Sequence, residues 1–333
     1  MSAVIRRAVI HRAVVLLSLL LPVAAFAHHG VATPGAVGVS GPGAPLETSS
    51  SATLPQGSWL AYVKLDHASY DLLTPERDDE TKRTTYQMFG LGYGVTPWLS
   101  LYGFLPFHAK TAEDNGFNTA GFVDPAWLAV AGFTWDGGPR PVDRNESLDD
   151  LEDLHFALWL GGTLPLGDPD TADADGLPDP GKALGFGEPS WSVGAAATRW
   201  LGRWTLVAEA STVLFQEHEY ADGQRVAFGT ETRLSLAACA TLWTRPSSRT
   251  RLDLNLEAGY LALGRDEADG VGEAGTGGRI LYALPGLRLT RGTVSLGLGW
   301  KTPAWTDLNE DALQQGAEGK ESGRLLATFS TLF

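Results

Sequence analysis

Polar and apolar residues alternate with a period of two through most of this chain, in about twelve stretches of the 9–11 residues or more that a tilted membrane strand needs. The stretches lie near 58–70, 84–95, 98–109, 122–135, 154–164, 187–200, 203–216, 225–243, 250–263, 278–289, 292–303 and 322–333. The clearest runs from Arg251 to Tyr260. Successive side chains of a strand point to opposite faces, so Leu252, Leu254, Leu256, Ala258 and Tyr260 share one face and Arg251, Asp253, Asn255 and Glu257 the other. The pattern predicts an all-β protein.

Alternation also marks soluble sandwiches, and the connections separate the two cases. Val95–Trp98, Leu201–Gly202, Thr244–Arg249 and Thr290–Gly292 are short, whereas 71–83, 110–121, 165–186, 264–277 and 304–321 are long and mostly acidic. Short turns on one side and long loops on the other characterise a transmembrane antiparallel up-and-down β-barrel with both ends in the periplasm, which requires an even strand number. Segment 136–153 occupies a short-turn position yet is long and charged, so it implies either mis-paired strands or a periplasmic excursion.

Both ends of the sequence fit that compartment. Arg6, Arg7 and Arg12 precede an apolar run from Ala13 to Leu21, and Ala25-Phe-Ala27 supplies a cleavage site, so residues 1–27 read as a removed signal peptide. That run is shorter than the roughly 20 apolar residues of a spanning helix. Gly323–Phe333 alternates up to a terminal aromatic, resembling the signal read by the barrel-assembly machinery. The barrel is therefore expected over 57–333. Residues 28–56, rich in Gly, Pro, Ser and Ala, read as a flexible periplasmic tail, either a tether or a plug folded back into the lumen.

Without the signal peptide the chain keeps 22 Lys and Arg against 39 Asp and Glu, because the leader holds three Arg and no acid; the resulting −17 argues against nucleic acid as a partner. Cys239 is the only thiol, so no internal disulfide forms. The expected partners are outer-membrane lipid and lipopolysaccharide, the assembly machinery and a small-molecule or ion solute, with the protein itself a monomer.

A membrane barrel inverts the polarity of a soluble protein, which places its polar face inside. Parity then points Lys64, Asp66, Tyr102, His108, Asp124, Glu188, Glu209, Glu231, Arg233, Arg251, Asp253, Asn255, Glu257, Arg288 and Lys301 into the lumen, where solute selectivity would be set. Barrels of this size are narrow and partly filled by their own side chains, while open aqueous channels are typical of 16–18 strands. Asp124 and Glu188 belong to a repeated opening, Gly121-Phe-Val-Asp-Pro-Ala-Trp127 and Gly185-Phe-Gly-Glu-Pro-Ser-Trp191, in which the proline marks a strand start.

Three other groups carry candidate chemistry. Cleavage after Ala27 would leave His28 as a free amino terminus followed by His29, a nitrogen-rich set suited to Cu(II). The loop 168–179 has oxygen spacing close to that of a Ca(II) loop through Asp173, Asp175 and Asp179, although Thr171 replaces the first Asp and Lys182 stands where a bidentate Glu belongs. An acidic solvated loop, or an ion bridging it to lipopolysaccharide, explains the same residues. His67 and Ser69 share the lipid face of the first strand, as a lipid-active enzyme would require. They resemble the outer-membrane phospholipase only there, because Tyr70-Asp71 follows the Ser where that enzyme has Asn-Gly.

Gly92-Tyr-Gly-Val-Thr-Pro-Trp-Leu-Ser100, Leu105-Pro-Phe107, the Gly-x-x-Asp/Glu-Pro strand openings and Leu164-Pro-Leu-Gly-Asp168 together resemble a family of outer-membrane transporters named for the meta pathway of phenol degradation. The resemblance spans about 57–333 and implies a barrel for uptake or efflux of small, often aromatic molecules, with no catalytic residues and no required cofactor. The sequence thus favours a channel for a small solute or metal ion. A closed structural or binding barrel with a copper-binding tail comes second, and a lipid-active enzyme third.

Overall fold

A computed structural model describes residues 43–71, 81–112, 118–135, 137–145, 154–172, 178, 180–309 and 321–333. Residues 1–27 (read above as a signal peptide), His28 and His29, and Asp173, Asp175 and Asp179 of the calcium-like loop lie outside the described residues.

Twelve long strands make the wall: β1 Trp59–Tyr70, β2 Thr81–Thr96, β3 Leu99–Ala112, β4 Ala126–Trp135, β5 His155–Thr163, β6 Trp191–Leu201, β7 Trp204–Leu214, β8 Glu231–Arg245, β9 Thr250–Leu263, β10 Gly278–Arg291, β11 Val294–Leu308 and β12 Glu321–Leu332. Each pairs antiparallel with its neighbour in sequence, and β1 pairs with β12 from Leu60↔Leu332 to Tyr70↔Glu321, which closes the cylinder. Closure leaves no strand edge to hydrocarbon, the condition for spanning a bilayer with strands.

The alternation seen in the sequence becomes an inside and an outside. Leu158, Leu236 and Leu298 are more than half exposed on the outer face, while Thr198, Thr205, Asp253 and Asn255 are fully buried inside. An apolar exterior around a partly charged interior is the lipid-facing arrangement.

Two segments depart from simple expectation. β4 and β5 pair without slippage from Ala126↔Thr163 to Thr134↔His155, so the strands flanking 136–153 are not mis-paired. Pro139–Pro141 instead folds back onto Phe133–Trp135, and Asn145 accepts a hydrogen bond from the Gln56 amide, so the described residues of 136–153 lie at the short-turn end of the barrel. At the opposite end the strand expected to start near 225 starts at Glu231. Arg225–Ala227 joins His218–Glu219, Glu267–Ala268 and Val271–Gly272 in a small separate sheet built from two loops.

Leu298 sits on the outer face between Leu296 and Trp300, and its partners are Leu287 and Ala327. Leu298→Arg is expected to cost about 2–4 kcal/mol, because a guanidinium placed near the bilayer midplane loses its hydration. Urea unfolding from lipid vesicles measures the loss.

Candidate functional site

Residues 43–56 carry few apolar side chains, yet most of them are buried inside the barrel, with Leu46 and Leu54 fully so. The tail therefore does not stay in the periplasm over this stretch. A barrel of twelve strands has an interior wide enough to admit one more chain, and the wall offers partners for its backbone. The Gly57 amide donates to the Gly94 carbonyl at the short-turn rim, and the Leu54 amide to Ser100 Oγ. Ser51 N–H reaches Thr198 Oγ1 and Ser49 N–H reaches Glu209. Glu257 then accepts from the amides of Leu46, Glu47 and Thr48 and from the Thr48 hydroxyl. Asn255 and Arg288 donate to the carbonyl of Ala44, Arg288 also to that of Pro45, and Asp253 accepts from the Gly43 amide. The segment forms a strap that rises from the rim, crosses the lumen and descends beside β7 and β9.

Its summit is Glu47. One carboxylate oxygen lies 2.8 Å from Lys301 Nζ and the other 3.6 Å from Lys64 Nζ, on opposite flanks of the β1–β12 seam. Burial by itself would raise the Glu47 carboxyl, but the two ammonium groups override it and hold it well below the usual carboxylate range. Leu46 beside it fills space left by glycine. A Cβ on Gly286, Gly297 or Gly299 would run into the Leu46 side chain as it is placed, so glycine at these inward positions leaves it room.

The lumen has two dissimilar walls. Over β1 to β6 the inward residues Leu60, Tyr62, Met88, Tyr102, Phe104, Leu128, Val130, Ala157, Trp159 and Ala196 form one apolar cluster, into which Leu54 packs. Tyr102 and Phe104 lie parallel, with ring centroids 6.1 Å apart. Over β7 to β12, and on the outer half of β1, the wall carries most of the charge, interspersed with apolar Val207, Leu261, Ile280, Leu284 and Leu326. Arg324 bridges Asp66 at 3.2 Å and Glu321 at 2.7 Å, Arg233 pairs with Glu231 at 2.7 Å, and Arg251 with Asp253 at 2.6 Å. Lys301 Nζ stands 4.3 Å above the Tyr282 ring.

Most of the residues that parity aims inward are inside, but their charges are spent on one another and on the strap. Lys64, Glu209, Asp253, Asn255, Glu257, Arg288 and Lys301 all touch it; Asp66, Glu231, Arg233 and Arg251 are in ion pairs of the wall. His108 meets the Tyr86 ring edge-on. Asp124 lies at the long-loop mouth, where its carboxylate accepts the amides of Gly167 and Phe186 and so holds the two ends of loop 165–186 together. Lys110 and Thr119 donate to the carbonyls of Gly181 and Lys182 in the same loop. Glu188 is a correction: it precedes the start of β6, where strand parity no longer governs, and its half-exposed carboxylate lies 3.7 Å from His218 rather than in the lumen. His67 on the outer face bonds Thr85 through Nδ1 at 2.8 Å, which turns that nitrogen toward β2 rather than to Ser69.

Sequence reasoning missed Glu47, Glu321, Arg324 and all of the apolar wall but Tyr102. Parity along β12, with Phe329 and Leu325 outside, would have found Arg324. Nothing local marks Glu47, whose neighbours read as linker.

No protein-family model and no curated protein sequence matches the chain. Among solved structures, it is similar to an outer membrane channel from Pseudomonas putida F1, at 15% identity and a TM-score of 0.63 over 84% of this chain and 97% of that one. The β-domain of the Bordetella autotransporter BrkA follows at 12% identity and TM-score 0.44, over 84% and 100% of the two chains. LpxR from Salmonella typhimurium aligns at 9% identity and TM-score 0.39, over 82% and 100%. The last two add no argument, and the first establishes architecture alone. The closed twelve-strand wall, its apolar exterior and this likeness make the chain a β-barrel of the Gram-negative outer membrane.

Proposed function

We propose that this barrel is a channel for a small solute of mixed character, an aromatic or apolar molecule bearing a polar group, and that residues 43–54 are its plug, with no covalent chemistry of its own. The observation that carries the reading is the divided lumen: an aromatic and aliphatic wall faces a charged one along the same passage. A purely aqueous pore has no use for Met88, Phe104, Leu128 and Trp159 pointing inward, and a purely structural barrel has no use for the dozen charged side chains that the described residues place there. The phenol-pathway family resembled by the sequence, and the likeness to the Pseudomonas outer membrane channel, fit the same reading.

The strap is held in a way that favours release. Its contacts are mainly hydrogen bonds and one ion-pair node rather than apolar packing. Among the described residues the buried hydroxyl of Ser51 on the strap finds no hydrogen-bond partner in the barrel. The second reading, a permanently closed barrel, draws on the same strap, whose polar contacts are numerous. Both the copper site at His28 and His29 and the calcium site at Asp173, Asp175 and Asp179 stay with that reading as proposals.

Planar-bilayer conductance separates the two. Deleting residues 28–56 from the mature chain is expected to raise unitary conductance and to speed entry of a small phenolic solute into proteoliposomes; a barrel equally silent with and without the tail would establish the closed reading. Glu47→Gln leaves Lys64 and Lys301 without their shared counter-charge. Removing one partner of a buried pair costs about 3–5 kcal/mol, here set against strap docking rather than barrel folding. A cysteine placed at Ser50 is expected to react with a water-soluble thiol reagent at least about tenfold faster in that background. Gly297→Leu, which fills the Leu46 socket, should do the same. Because Glu47 is held ionised by its partners, this docking is present above the ordinary carboxylate range and lost only as the pH falls well below it.

A further inference from the structure

The outer surface carries a feature that solute passage does not use. At the long-loop end of β8 to β11, the outward residues Thr232, Ala262, Arg279 and Asp307 are register neighbours in one row across the wall. Together with Arg265, two residues past the end of β9, they line a recess of about 540 Å³. Arg279 has one carboxylate neighbour, Asp307, at 3.9 Å, the outer limit of an ion pair, and both side chains are about 60% exposed. Among the described residues Arg265 has no ion pair or hydrogen bond. Two guanidiniums with donors to spare at one recess are a geometry that fits the tetrahedral oxygens of phosphate.

Directly below, the next outward row is Leu234, Tyr260, Leu281 and Trp305. The row after it is Leu236, Ala258 and Ala283, continuing sideways to Ala208 and Ala197. Small side chains on adjacent strands leave a second, almost wholly apolar depression of about 680 Å³ in the lipid-facing surface. Arg279 and Ala283 are four residues apart, roughly 13 Å along a strand and about 10 Å in depth at the usual tilt. From the mouth inward, the surface thus presents a cationic recess, an aromatic belt and an acyl-sized trough.

We infer that this surface binds a phosphorylated outer-leaflet glycolipid of the lipid A type, with a phosphate on Arg265 and Arg279 and an acyl chain in the alanine-lined depression. The long loops face outward in such barrels, so the recess lies at the depth of the outer-leaflet headgroups, where phosphate is the chief anion. Neither part would select this lipid alone: the arginines would take a soluble anion, and the trough any acyl chain. Their stacking at the spacing of headgroup and tail makes the choice, independently of whether the lumen conducts.

The test uses the full mature chain, purified in detergent, with diphosphorylated lipid A as the probe and native mass spectrometry as the readout. The wild-type protein is expected to retain one lipid A, and the Arg265→Glu, Arg279→Glu pair to retain at least about tenfold less. The Arg265→Lys, Arg279→Lys pair, which keeps the charge, should restore part of the loss; if it and the Glu pair alike bind as wild type does, the inference fails. Dephosphorylated lipid A should bind wild type no better than it binds the Glu pair. Ala283→Phe, which fills the trough and leaves the arginines in place, should weaken retention while the barrel keeps its heat-resistant migration on gels. Full displacement of lipid A by millimolar inorganic phosphate would overturn the inference in favour of a soluble-anion site, and unchanged retention in Ala283→Phe would remove the acyl half of it.

Discussion

Everything in this molecule depends on satisfying the strand backbone where no water is available. Inside hydrocarbon an unpaired amide or carbonyl costs several kcal/mol, so the wall must close on itself, and the β1–β12 ladder does this from Leu60↔Leu332 onward. Closure fixes the strand number as even, puts both ends of the wall on one side and assigns every residue of a strand either to lipid or to the lumen. The apolar outer face then follows from the alternation, and the inner face is left to carry chemistry.

What fills that inner space is set by a second constraint. A lumen lined by a dozen ionisable groups cannot leave them unpaired, and these side chains resolve the problem partly among themselves and partly by recruiting a polar segment of their own chain. Glu47 joins Lys64 and Lys301, Glu257 gathers three amides and a hydroxyl, and Arg288 takes two carbonyls. Residues 43–54 thus behave as an intramolecular ligand of the charged wall. The strap bonds both walls, through Ser100 on β3 and Thr198 on β6 and, more densely, through Asp253, Asn255, Glu257 and Arg288 on β9 and β10.

The outer surface obeys the same bookkeeping in reverse. Large aliphatic residues cover most of it, and small residues on β7 to β10 produce a trough where lipid must fill what side chains do not. A hydrocarbon chain has no means of selecting that trough without a polar anchor, and Arg265 and Arg279 stand above it. Lumen and exterior therefore each pair a cationic or charged feature with an apolar one, arranged across the passage in the first case and along the membrane normal in the second.

The period-two pattern, the alternation of short and long connections and the inverted polarity were legible in residues such as Leu252 to Tyr260, because each depends only on the pleat and on which solvent surrounds the wall. The strand positions came out within a few residues for the same reason. Glu188 was misplaced because parity holds only within a strand and β6 begins three residues later. The apolar wall was hidden because a barrel interior is expected to be polar, and inward-facing Phe104 or Trp159 is not distinguished by alternation from a lipid-facing neighbour. Glu47 and its strap were decided by tertiary structure alone. Nothing in Thr48-Ser-Ser-Ser-Ala-Thr53 announces burial, and the partners of Glu47 lie far apart in sequence, Lys64 on the first strand and Lys301 on the eleventh. Sequence determined which solvent each face of the wall meets; the closed structure alone decided what the interior holds, because only closure brings those distant charges around a single chain.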